Sequence, residues 1–556
     1  MARRGRSLGE WIAEQRRVYF ENATATRDFR TQLRGNRPIF IFGGYLSILM
    51  LVAGITYYSV AQNTDASDPA RIQELLAAFY HTVISTIAAL FFVITPALTA
   101  TSVVSERIRR SLDLVFCAPV EPKYFLVGKL TASYRYLWML LFLSLPVTAT
   151  CVVFGGATFV DVLANYVQLS LFGLMLTALS LCVSVVSPKP ASALLWSYMG
   201  SGGLVALLAL FGEVGQAMPL MRALSPLRML KEAVPAVPVF GVLVPAIFIT
   251  AGFAGLVTKL FVHAAGNLLA PHDPKAARSL RLHAEAYSWT SIGLLAYLLT
   301  SESNRNTPAP DYFAFVLAIA TAWALVPLGF IMPILSTYSL DDDRVHRPNG
   351  WFNLRRTLTG TPAGALPFIL LFVLGAFGAA AVGGSLGAPG MNLIWMVPVI
   401  FFSIGFWSLL WACGRAVSAL RHSIREARSF QLLTFFCLVA IPPGLLSIAI
   451  AVLGFGGNAG ASNALWDLYI LRPIMILNGG STTAPFETLF SAPSIGWTAF
   501  VWIAAIAVFQ WSENRMRRMQ RYQLPHSLGG YEDDELNKRL ALPHAKTDDE
   551  PVHLKI

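Results

Sequence analysis

Phe159-Val-Asp-Val-Leu-Ala-Asn-Tyr-Val-Gln-Leu-Ser-Leu-Phe-Gly-Leu-Met-Leu-Thr-Ala-Leu-Ser-Leu-Cys-Val-Ser-Val-Val-Ser187 carries a single charged residue, Asp161, close to its start. An α-helix rises about 1.5 Å per residue and the hydrocarbon core of a bilayer is about 30 Å thick, so roughly twenty apolar residues suffice to cross it. This stretch is long enough, and it is one of a series. Apolar runs lie near 38–60, 77–104, 132–155, 159–187, 191–211 and 238–262, and after a polar break near 286–301, 311–336, 365–384, 392–414, 430–454 and 494–511. The reading is an all-α polytopic membrane protein with about 12 transmembrane helices. The run at 286–301 is the shortest and is expected to be tilted or partly interfacial.

Composition agrees. Of 556 residues, 55% are hydrophobic and only 13% are charged, and the mean hydropathy is +0.57, whereas a soluble domain carries nearer a quarter charged residues. A soluble enzyme, a disordered scaffold and a disulfide-stapled secreted module are excluded. The five cysteines (Cys117, Cys151, Cys182, Cys413, Cys437) form no CxxC pair and are read as packing residues. The basic opening is followed by polar residues rather than an apolar core, so no cleaved leader is expected.

Lys and Arg together number 42 against 31 Asp and Glu, a formal charge of +11. With the N-terminus placed inside, 36 of the basic residues fall in cytoplasmic segments, and only Arg71, Arg222, Arg228, Lys231, Arg305 and Arg472 fall outside. That is the bias of the positive-inside rule, and it places both termini in the cytoplasm of a cell whose cytoplasmic membrane holds the chain. The charge is a topological label, and no nucleic-acid partner is expected.

The two sets of six share a pattern. Pro96-Ala-Leu-Thr-Ala-Thr-Ser102-Val-Val-Ser-Glu106-Arg107 is matched at an offset of 237 residues by Pro333-Ile-Leu-Ser-Thr-Tyr-Ser339-Leu-Asp-Asp-Asp343-Arg344. Both copies end the second helix of a six-helix set. Two such sets with an even number of helices would be parallel repeats related by an axis along the membrane normal. The expected layout is a cytoplasmic N-terminal segment with an amphipathic helix at 1–37, a first half at 38–262, a cytoplasmic linker at 263–285, a second half at 286–511 and a cytoplasmic tail at 512–556. The apolar-rich segments 212–237 and 455–493 read as short helices at the outer interface.

Three segments bear on mechanism. Ser7–Glu21 sets Leu8, Trp11, Ile12, Val18 and Tyr19 on one helical face behind a Ser7-x-x-Glu10 capping box, which suits a helix lying on the cytoplasmic surface. Ser105–Pro119 has helical periodicity with Ile108, Leu112, Val115 and Phe116 on one face and Pro119 as its stop. It suits docking into a groove on a soluble partner, or lying on anionic lipid. Gly128-Lys129 opens the next helix.

The pattern helix, Glu106-Arg107, x4, Leu112-x-Leu114, x3, Ala118-Pro119, x8, Gly128-Lys129, helix resembles the second-to-third-helix region of ABC-2 type permeases, the membrane subunits of ATP-driven exporters. The likeness is strongest over 96–135. Ala118 stands where Ser or Thr is common, and the second half keeps only Asp343-Arg344. The resemblance implies ATPase-subunit docking through Glu106, Arg107, Ile108, Leu112, Val115, Phe116 and Pro119, with Asp343 and Arg344 in the second half. It implies an ABC ATPase partner, two copies per chain, holding the ATP and Mg, with no cofactor on this chain. Consistent with that, Gly128-Lys129 is the only Gly-Lys pair and is followed by Leu130, so no G-x-x-x-x-G-K-[ST] loop is present.

Charge is scarce inside the runs. His81 is read as a packed or hydrogen-bonded residue rather than a proton relay, and Arg135, Asp161, Lys259 and Arg415 as near helix ends, where they snorkel. His263, His272 and His283 lack metal-ligand spacing and are read as residues of a solvated linker. An uncharged path suits an apolar or amphipathic substrate. Two alternatives stay open: a secondary carrier of the major facilitator kind, whose glycine-rich loop after the second helix is lacking here, and a membrane scaffold coupled to an ATPase without transport.

Overall fold

Backbone amides and carbonyls find no water in hydrocarbon, so a chain this apolar has to satisfy them within helices. The computed structural model meets that demand. It describes residues 21–62, 69–112, 122–153, 156–214, 226, 230, 236–239, 242–269, 274–306, 328–329, 331–338, 352–358, 364–387, 396–420, 424–439 and 492–523. In chain order the helices are α1 (Ala23–Gln32), α2 (Arg37–Gln62), α3 (Pro69–Thr99), α4 (Ser102–Ile108), α5 (Pro122–Val153), α6 (Phe159–Val186) and α7 (Pro190–Val214). A hairpin, β1 (Ala236–Val239) and β2 (Val242–Pro245), precedes α8 (Ala246–Leu269) and α9 (Pro274–Asn306). Then come α10 (Ala365–Gly387), α11 (Met396–Leu420), α12 (Ile424–Val439) and α13 (Ala492–Gln523).

Among the described residues, eight helices are long and apolar enough to cross a membrane: Pro38–Ser59, Leu76–Ile108, Pro122–Val153, Phe159–Val186, Ala246–Leu269, Ala365–Gly387, Met396–Leu420 and Ala492–Arg518. The chain is a helical, polytopic membrane protein. The expected run 191–211 lies in α7, and the short run 286–301 lies inside the 33-residue α9. Most of the runs 311–336 and 430–454 falls outside the described residues.

Helix α6 is the hub of the first half and touches α3, α4, α5, α7 and α8. Its N-terminus is closed by a capping box: Asp161 N–H donates to Thr158 Oγ1 (3.2 Å) and Thr158 N–H donates to Asp161 Oδ2 (2.9 Å). Asp161 thus spends its charge on the helix end. Buried polar side chains join the helices laterally: Asn165 Nδ2 donates to Tyr80 Oη (2.8 Å), and Tyr166 Oη pairs with Ser144 (3.0 Å) and Thr148 (2.8 Å). In a bilayer each such bond contributes about 1 kcal/mol.

In the second half α11 touches α10, α12 and α13, and α9 packs along α10. A Cβ on Gly383 would run into the Gly293 carbonyl, so these two backbones approach as small residues allow. Two side-chain hydrogen bonds recur at an offset of 237 residues. Thr99 Oγ1 donates to the Thr95 carbonyl (2.8 Å) and Ser336 Oγ to the Met332 carbonyl (2.7 Å), at positions 237 apart. The starts of α2 and α9 (Arg37 and Pro274) and of α6 and α11 (Phe159 and Met396) share that offset.

Three expectations are corrected. Segment 263–285 is no loose linker: α8 runs to Leu269 and α9 starts at Pro274. Ala277, Leu280 and Ala284, spaced three and four apart, are buried, which is the pattern of a packed helical face. Arg281 is buried there and donates to the carbonyls of Thr357 and Gly364. The run expected as a helix over 238–262 starts instead in a hairpin, with Val237 opposite Val244, where β-branched residues favour extended backbone, and α8 begins only at Ala246. Finally, Arg415 does not snorkel. It is buried on α11, with Nη2 at 3.4 Å from Glu513 Oε2 of α13 and its guanidinium over the Trp411 ring.

Removing one partner of a buried ion pair strands the other charge. Glu513→Ala is expected to cost about 3 kcal/mol in a denaturant titration of the detergent-solubilised chain, while replacing both partners, Arg415→Met with Glu513→Leu, recovers at least half of that loss. A double variant as unstable as the single one would show that the pair is not the cause.

Candidate functional site

Glu106 of α4 and Gly128-Lys129 of α5 meet where α1, α4 and α5 come together. Helix α1 has ten residues, too few to hold a helix alone in water, and it is held from outside. Asn22 caps it: Oδ1 accepts from Thr24 N–H (3.0 Å) and Ala25 N–H (3.3 Å), and Nδ2 donates to the Tyr124 carbonyl of α5 (2.9 Å). Gly128 makes the approach possible, because a Cβ there would lie 2.7 Å from Asn22 Oδ1 and 2.8 Å from Thr24 Cβ.

The next residue supplies the charge. Lys129 is 5% exposed, and its Nζ donates to Asp28 Oδ2 of α1 (2.9 Å) and Glu106 Oε1 of α4 (2.8 Å). Arg27 Nη2 reaches the same Glu106 oxygen (3.1 Å) and Asp28 Oδ1 (2.9 Å). Two cations and two carboxylates balance, which is how charges are kept in a low-dielectric site. The network is a clasp on three helices. Gly128-Lys129 is thus built into a helix–helix contact and lies within α5, not in a glycine-rich loop.

The other end of α4 is fixed by reciprocal capping with α6. A helix leaves its first amides and last carbonyls without partners. Ser184 Oγ of α6 accepts from Val103 N–H (3.1 Å) and Val104 N–H (3.4 Å) at the start of α4. In return, Arg107 donates to the carbonyls of Val185 (2.8 Å) and Ser187 (3.2 Å) at the end of α6, where a cation also meets the negative end of the helix dipole.

The structure places the expected docking residues unevenly. Glu106 and Arg107 face inward, in the clasp and the cap. Ile108 is 59% exposed while Leu112 is buried, so they do not share a face, and the expected continuous helix from 105 onward is broken. The reason lies at Arg109 and Arg110. The Arg110 amide bonds the Arg107 carbonyl (3.0 Å) with φ at 56°, a left-handed conformation that costs a non-glycine residue about 1 kcal/mol. Ile108, Arg109 and Arg110 form an exposed tip. Val115, Phe116, Pro119, Asp343 and Arg344 lie outside the described residues, as does the helix expected over Ser7–Glu21.

His81 Nδ1 is 3.2 Å from the Leu230 carbonyl, as a hydrogen-bonded helix residue should be. The solvated reading of the histidines fails for two of them: His263 is buried, and its ring lies 3.8 Å from that of His283. Among the described residues no group of three or more His, Cys, Asp or Glu could hold a metal. In comparisons with known proteins, no family model and no curated sequence matches the chain.

Lys129→Met removes the ammonium from between Asp28 and Glu106. The expected cost is about 3 kcal/mol, with release of α1 read as at least tenfold faster tryptic cleavage at Arg30 and Arg34. Gly128→Ala releases the same helix sterically. Unchanged cleavage in both variants would mean that the clasp does not hold α1.

Proposed function

We propose that this chain is the permease subunit of an ATP-driven exporter of the ABC-2 type, set in the cytoplasmic membrane with both termini cytoplasmic. Its twelve helices form two parallel six-helix halves, a reading supported by the shared offset of 237 residues between helix starts. ATP and Mg act on a separate ATPase subunit, two copies of which dock on the chain. Asp343 and Arg344 belong to the second docking loop. The substrate is apolar or amphipathic, in keeping with the scarcity of charge inside the spans.

One observation carries the reading: the elbow of α4 is locked to α1, α5 and α6, yet ends in the exposed tip Ile108-Arg109-Arg110. A rigid element with an apolar residue and two cations at its end is suited to receive force from a soluble partner and pass it to three helices at once. The inward-facing Glu106 and Arg107 then act as positioning residues, and the tip makes the contact.

Ile108→Asp and the double reversal Arg109→Glu/Arg110→Glu alter exposed side chains only. Each is expected to reduce co-purification of an ATPase from native membranes at least tenfold without moving the thermal midpoint of the chain. Substrate accumulation that follows a proton or sodium gradient, with no ATPase bound, would instead establish a secondary carrier. ATPase binding without ATP-dependent transport in liposomes would establish a scaffold.

A further inference from the structure

We propose that the outer face of α1 is a binding site for the headgroups of anionic phospholipids. The helix carries Arg27 and Arg30, three residues apart and so on one face, and Arg34 follows directly after the Leu33 C-cap. All three are exposed. The only carboxylate on α1, Asp28, is shared between Lys129 (2.9 Å) and Arg27 (2.9 Å), so it offsets Arg27 and leaves Arg30 and Arg34 outside the clasp. The net positive charge of the face is carried by Arg30 and Arg34, both exposed.

The level of the site follows from the chain after it. Gly35 turns the backbone with φ at 85°, and α2 begins at Arg37. Ile39 and Phe40 are 68% and 77% exposed, which in a spanning helix means contact with acyl chains. The guanidinium groups thus sit within a few residues of the hydrocarbon boundary, at the depth of lipid phosphates. Continuity between the basic face and this lipid-facing pair selects a membrane lipid over an acidic soluble protein. The Asn22 cap and the Lys129 pair hold the helix in place, so the arginines are presented pre-organised, and a guanidinium suits bidentate contact with phosphate. Arg27, 55% exposed while bonded to Glu106, would be shared between a headgroup and the clasp, linking lipid occupancy to the elbow. The site stands whether or not the chain is an exporter.

The test uses the full chain in nanodiscs that mix phosphatidylglycerol with phosphatidylcholine, with retained lipid quantified after transfer to detergent. The wild type should keep phosphatidylglycerol in preference to phosphatidylcholine, and the preference should weaken with salt. Arg30→Gln/Arg34→Gln should lower retention at least fivefold, Arg30→Lys/Arg34→Lys should restore part of it, and both should melt with the wild type. Equal retention in the Gln variant overturns the proposal. So does an unchanged lipid ratio accompanied by loss of an acidic protein partner.

Discussion

A lysine ammonium held at 5% exposure sets the terms for everything around it. Stripped of water, such a charge costs several kcal/mol unless carboxylates come to it, and the two that come belong to helices far apart in sequence. Asp28 brings α1 to α5, and Glu106 brings α4. The glycine that precedes Lys129 removes the atom that would keep α1 away. From this one requirement follow the seating of a ten-residue helix that could not stand alone and the inward turn of Glu106.

The elbow is closed from the opposite side by a different kind of interaction. Ser184 and Arg107 exchange caps between α4 and α6, which satisfies two amides of one end and two carbonyls of the other. Helix α6 also touches α3, α5, α7 and α8, so the cap ties the elbow to the centre of the first half. What escapes both constraints is the tip. There the backbone adopts a left-handed turn at Arg110, a conformation that glycine would take more easily, and the surrounding bonds sustain it.

The spans were legible because apolar length is a local property: runs such as 159–187 and 365–384 reappear as α6 and α10 nearly unchanged. The polar linker misled because its charge hid the three-and-four spacing of Ala277, Leu280 and Ala284. Histidine spacing in sequence likewise could not reveal two rings brought together by a helical hairpin. Glu106, Arg107 and Lys129 stood out as a motif, but their partners did not. Asp28 and Lys129 are 101 residues apart, and no periodicity connects them. Gly128-Lys129 reads as the opening of a helix, but that helix begins earlier, at Pro122, as Phe125-Leu126-Val127 before the pair signals. The break after Ile108 had no compositional sign, since arginine is not a turn residue.

The separation of Asp28 from Lys129 also bears on how the protein is made. A ribosome adds about 5–20 residues per second, so α1 is synthesised roughly 5–20 s before the helix that anchors it. For that interval its aspartate and its Asn22 cap lack their native partners on α5, Lys129 and the Tyr124 carbonyl. The basic segment waits beside the membrane while α2 and α3 insert, and the third spanning helix has to deliver its lysine to a helix already in position. Assembly of this corner is therefore ordered in time: insertion of α5 completes α1, and the elbow closes last, when Ser184 emerges and supplies its cap.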